Sequence, residues 1–77
     1  MIDETTLAAL IRSALPDAEV DVTDLTGTMD HLSVFVRSRA FAGVAPLDRH
    51  RIVERAVAPA RTDGRLHALA IRTAAKE

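Results

Sequence analysis

Three histidines, His31, His50 and His67, are the side chains of this 77-residue chain best suited to hold a metal or carry a proton near neutral pH. Their spacing makes no HxxxH pair and no other local ligand pair. The chain has no cysteine, so it forms no disulfide and no thiolate metal site of its own. Asp30 precedes His31 and could orient its imidazole as a base. No serine, however, stands in a Gly-rich nucleophile turn, and "LTGTMD" has too few glycines to cradle a phosphate. The residues therefore argue against an enzyme. Two chemistries remain: ligation by single histidines, and nucleic-acid contact through "DRHRIVER", which holds Arg49, His50, Arg51 and Arg55.

His67 lies near the start of "RLHALAIR", residues 65 to 72, an apolar run that reads as a strand. It shares one strand side with Leu69 and Ile71, while Leu66, Ala68 and Ala70 share the other. Periodicity does not say which side meets the core. A half-buried histidine bonded to the backbone and an exposed ligand are both open on the residues alone. His31 opens another strand beside a loop, where plain surface exposure is the simpler reading. His50 stands at the start of a helix, near the border of its apolar stripe. The arginines around it do not share one face, because Arg51 and Arg55 point outward and Arg49 points nearer the stripe. Asp48 and Glu54 dilute the charge, and an Arg51–Glu54 pair on a solvated face is expected. A DNA-reading helix is the alternative.

The elements that must position these residues follow from pattern. Asp3 is placed to cap a helix, with Ile2 and Leu7 as a hydrophobic staple. Leu7, Leu10, Ile11 and Ala14 recur at helical period, and Pro16 ends the helix near Leu15. "AEVDVTD" and "HLSVFVRS" both alternate, so they read as two strands of a hairpin around the turn-rich "DLTGTMD". Leu32, Val34 and Val36 form the inward side of the second strand, which leaves Phe35 on the open face. "RAFAGVAP" has room for one helical turn around Ala40 to Ala42. A second helix is expected from about Leu47 to Ala58, with Ile52, Val53, Ala56 and Val57 inward and Pro59 as its end. "TDG" turns the chain into the third strand, and "TAAKE" reads as a loose tail.

This order, αββ(α)αβ, predicts an α+β fold. Its two layers are a mixed three-stranded sheet and helices on one face, the third strand pairing in parallel after a helical crossover. One domain spanning residues 1 to 77 is expected. Hydrophobic residues make up 48% and charged residues 27%, as in an ordinary soluble globule. Ten basic and eleven acidic residues leave a net charge of -1, which argues against a general grip on nucleic acid or on an anionic membrane. "MIDETTLAAL" is acidic where a signal peptide is basic, and no apolar run reaches membrane-spanning length. A cytoplasmic location is expected.

Four stretches taken together, "DLTG", "DHLSVFVRSRAFAG", "LDRHRIVERAV" and "LHALAIRT", resemble the BolA family. The shared features are His31–Leu32, the step Ser38, Phe41 and Gly43, the triplet Arg49–His50–Arg51, and His67–Ala68. They run in order over nearly the whole chain, from about Leu7 to Thr73, and the short hairpin loop is more similar to the compact, IbaG-type branch. The resemblance implies a fold like class II KH domains. It also implies a heterodimer with a monothiol glutaredoxin that shares a [2Fe–2S] cluster. There the glutaredoxin cysteine and glutathione supply thiolates and His67 supplies an imidazole; the isolated chain binds no cluster. The family's second ligand, usually Cys or His, falls in the loop from Leu25 to Asp30, which here contains neither. His31 at the end of that loop is the candidate, with Asp30 as the alternative donor. The resemblance also brings DNA-binding regulation as a second reading, although "FAGVAP" lacks the GxxG clamp of true KH domains.

Overall fold

Asp3 opens the first helix as expected: its Oδ1 accepts the Thr6 N–H at 2.7 Å, and its carbonyl accepts the Leu7 N–H at 3.0 Å. Ile2 and Leu7 flank this cap, and both are buried in the same core cluster, the staple that fixes how the chain enters the helix. In the computed structural model, which describes residues 2–27 and 31–76, this helix is α1 (Glu4–Ala14). Pro16 stops it, and Leu15 caps it with an N–H bond to the Ile11 carbonyl.

Strands β1 (Glu19–Asp24) and β2 (His31–Ser38) pair antiparallel, with Val20 opposite Val36 and Val22 opposite Val34. After β2 comes one 3-10 turn (Arg39–Phe41), then α2 (Pro46–Thr62) and β3 (Ala68–Ala75). β3 pairs with β2 in parallel, so the sheet order is β1-β2-β3 and the sheet is mixed. Leu32, Val34 and Val36 of the central strand are buried beneath the helices with Leu7, Ile11, Val53, Val57 and Phe41. On the other face the Arg72 guanidinium lies over the Phe35 ring, 5.4 Å from its centroid. The predicted architecture is the observed one.

The Ser38, Phe41 and Gly43 step is scaffold. Ser38 is fully buried; its Oγ accepts the Ala40 N–H at 3.1 Å and donates to Asp17 Oδ1 at 2.7 Å. Phe41 is fully buried, and Gly43 turns the chain at a φ of 73°, a region where other residues are strained. Val44 closes that turn with an N–H bond to the Phe41 carbonyl.

Three boundaries differ from expectation. Helix α2 does not stop at Pro59 but runs through it to Thr62. Proline withholds a bond from the Arg55 carbonyl, yet Arg55 and Pro59 are both exposed, so water can serve that group. The final turn is held by Ala60, fully buried in the core, and by Arg61, which bonds back to Glu54. The third strand begins at Ala68, not at residue 65, because the backbone before it is bonded elsewhere. The Arg65 carbonyl accepts from Ile2, the Leu66 N–H donates to Ala60, and the His67 carbonyl accepts from Arg61. At the far end, the expected tail is strand as far as Ala75, with Thr73 opposite Val36, and Lys76 donates its N–H to the Ser38 carbonyl.

Candidate functional site

Parallel pairing puts the starts of β2 and β3 at the same end of the sheet. His31 is the register partner of Ala68, so His67 lies one residue before the position opposite His31. Neighbouring strands sit about 4.8 Å apart, so the backbones of His31 and Ala68 lie about that far from each other, with His67 next along the chain. Both residues are exposed. His31 belongs to the helix-free side with Ser33 and Phe35, while His67 comes just before the first residue of β3. Asp30, the alternative donor, lies outside the described residues.

The segment presenting His67 is fixed from several directions. Asp63 accepts the Arg65 N–H through Oδ1 at 3.1 Å and the Arg65 Nε–H through Oδ2 at 2.7 Å. Leu66 is buried and ties to α2 through its N–H at 3.0 Å. Arg61 Nη1 donates to the His67 carbonyl at 2.9 Å. The same guanidinium meets Glu54 twice, Nε to Oε2 at 3.0 Å and Nη2 to Oε1 at 3.1 Å, a fork-to-fork pair. Residues 66 and 67 precede β3, so strand alternation does not reach them: Leu66 is buried while Leu69 and Ile71 pack against the core from within β3. Its position outside the strand is why periodicity could not place His67, a histidine that the pattern left open as half-buried and that is exposed.

On the other side of the site, Asp24 Oδ1 accepts the N–H groups of Thr26 and Gly27, at 3.2 and 3.0 Å, and Leu25 donates its N–H to the His31 carbonyl at 2.8 Å. Leu25 itself is 59% exposed, an apolar side chain just after β1. Among the described residues no three His, Cys, Asp or Glu side chains group as a metal site, and the chain contains no cysteine. An exposed imidazole on a fixed backbone fits a cluster whose thiolates come from another molecule.

The basic helix is otherwise engaged. Arg49 Nε donates to the Val44 carbonyl at 2.7 Å, and its guanidinium lies 5.9 Å from the Phe41 ring centroid. Arg51 pairs with Asp48 at 3.6 Å, not with the expected Glu54, which is taken by Arg61 and stands 3.7 Å from His50 Nε2. Arg55 lines a shallow cavity with Ala14, Ile52 and Ala56.

Sequence reasoning missed Asp17, Glu54 and Arg61. Asp17 Oδ2 accepts the Arg39 N–H at 2.8 Å, while its carbonyl accepts from Lys76 Nζ at 3.1 Å. The Arg39 N–H and the Ser38 hydroxyl lower its pKa, with a smaller contribution from the Lys76 charge. Asp3 is lowered by its bonds to Thr6. The signal for Glu54 and Arg61 was their seven-residue spacing on one helix face; ending the helix at Ala58 hid it.

A mixed three-stranded sheet under two helices, with a fixed histidine at the shared start of its parallel strands, defines a small α+β fold. Residues 7–77 match the family described as BolA-like protein. The chain belongs to this BolA family, a non-enzymatic one. A bol-like protein from Babesia bovis matches with a TM-score of 0.80 at 26% identity, over 97% of this chain and 86% of that one. A BolA protein from Ehrlichia chaffeensis is 36% identical with a TM-score of 0.57, over 99% and 95% of the two chains. An uncharacterized protein of Rickettsia prowazekii is 25% identical over 67 residues, 87% of this chain and 86% of that one. No described helix is long and apolar enough to cross a membrane.

Proposed function

We propose that this chain is the cysteine-free half of a shared [2Fe–2S] site, working in iron–sulfur or iron homeostasis as an adaptor in the cytoplasm. Its partner is a monothiol glutaredoxin, whose cysteine supplies one thiolate and whose bound glutathione supplies another. His67 contributes an imidazole, and His31 or Asp30 is the second donor from this chain. The observation that carries this reading is the exposed His67 on a backbone bonded to Arg61, in a chain without a thiolate. Exchanging thiolate for imidazole removes negative charge from such a cluster and raises its potential. This chain's own residues fix the backbone that carries the exposed His67, and Leu25, bonded to the His31 backbone, adds an exposed apolar side chain. The short loop after β1 supports a place in the compact, IbaG-type branch, with residues 1 to 77 acting as one unit.

The test is reconstitution. Mixing with a monothiol glutaredoxin, glutathione, iron and sulfide is expected to convert the glutaredoxin homodimer spectrum into that of a histidine-containing heterodimer. A homodimer spectrum that persists unchanged at excess of this protein refutes the reading.

A further inference from the structure

Arg61 joins helix α2 to the segment that carries His67. Its Nη1 holds the His67 carbonyl at 2.9 Å, and its other two nitrogens are held by both carboxylate oxygens of Glu54 at 3.0 and 3.1 Å. Glu54 sits seven residues earlier on the same helix, so a rigid element fixes the direction of the guanidinium. Both side chains are about one-third exposed, which leaves them partly shielded from competing water. Immediately after His67 the chain enters β3, whose register is set by β2. Immediately before it, Leu66 is anchored in the core. Between those anchors, Arg61 holds the His67 carbonyl.

We propose that the Glu54–Arg61 pair is a positioning device for His67: it sets the backbone from which the imidazole is presented, without touching the ligand ring or the metal. The proposal rests on the shared-cluster reading only for its consequence, since the brace itself belongs to the free protein. Partners that orient metal-binding histidines are worth about 10- to 100-fold in metal affinity. A brace on the carbonyl acts one step further away, so the lower end of that range is expected.

The free protein tests the brace directly. In wild type, backbone amides at residues 66 to 68 should show NMR order parameters near about 0.85, the value of rigid backbone. In Arg61→Leu they should fall toward about 0.6 while β1 and β2 stay unchanged. Glu54→Gln leaves the guanidinium in place but removes the charge that aims it, so it should give a smaller loss at the same amides. Arg61→Lys reaches one partner but not both, and should fall between wild type and Arg61→Leu. Unchanged order at residues 66 to 68 in Glu54→Gln and in either folded Arg61 variant overturns the proposal.

The second arm measures binding to a monothiol glutaredoxin with and without the cluster. Arg61→Leu should weaken the cluster-bound heterodimer about tenfold and leave the cluster-free one unchanged. An equal loss in both makes Arg61 a docking contact instead and overturns the positioning role. If wild type forms no shared cluster, the functional reading fails, while the order parameters still decide the brace.

Discussion

The buried Ser38 hydroxyl donates to Asp17 Oδ1 at 2.7 Å, joining the end of the central strand to the loop that leaves the first helix. Around this bond Lys76 adds two more, its N–H to the Ser38 carbonyl and its Nζ to the Asp17 carbonyl. Ser38→Ala leaves the Ala40 N–H and the Asp17 carboxylate without this partner. It should cost about 1–2 kcal/mol. In a chain of this size each kcal/mol lowers the melting temperature by about 4–8 °C. An unchanged melting curve would mean the bond contributes nothing.

Acid should weaken the fold through two carboxylates. Asp3 and Asp17 have lowered pKa values when folded, so the unfolded chain binds more protons as pH approaches the ordinary aspartate value of about 3.9. Their contribution is complete above that value and is lost as pH falls through the folded-state values. Urea midpoints from neutral to acid pH should decline across that window, and Asp17→Asn should flatten the decline. Parallel wild-type and Asp17→Asn curves would remove Asp17 from the account.

Phe41 is a structural residue, and so is the arginine over its ring. Phe41→Ala should cost about 3–5 kcal/mol, against the total of about 4–12 kcal/mol usual for a chain of this length. Arg49→Ala loses the bond to the Val44 carbonyl and the ring contact, about 1 kcal/mol. Thermal melts check both. If Arg49→Ala melts like wild type but loses salt-dependent binding to duplex DNA, Arg49 faces a nucleic acid and not Phe41.

The two candidate ligands should separate in effect. His67 is exposed, so His67→Ala should change stability by no more than about 0.5 kcal/mol. It should nevertheless remove the histidine signature from a shared cluster and weaken that complex. His31→Ala should do less, because a neighbouring oxygen such as that of Asp30 can take its place. Visible and magnetic spectra of the two variants rank them, and identical spectra for wild type and His67→Ala take His67 off the metal.

Elements with one clear periodicity were legible in the sequence: the capped first helix, the alternating hairpin, the parallel third strand and the inward Leu32, Val34 and Val36. Boundaries failed where tertiary bonds override local preference. Pro59 reads as a stop, but Ala60 in the core and the Glu54–Arg61 pair carry the helix onward. Residues 65 to 67 read as strand, but their backbone groups are bonded to Ile2, Ala60 and Arg61. Of the site, resemblance singled out His67 and His31, and register then brought them to one end of the sheet. The brace on His67 was illegible because it depends on a helical turn that the proline concealed.

The parallel pairing of β2 with β3 also constrains how the molecule assembles. The β1–β2 hairpin closes a short loop, whereas β3 reaches β2 only after the crossover through α2, so the hairpin has the lower entropic barrier. Until β3 arrives, β2 shows an edge of unpaired N–H and C=O groups, the kind of edge that invites aggregation. Contacts made late affect mainly unfolding, so Ile71→Val should speed unfolding and leave the folding rate nearly unchanged. An equally slowed folding rate would place β3 in the nucleus. His31 and His67 are brought to the same end of the sheet only at that closing step, so this end of the sheet is the last to form.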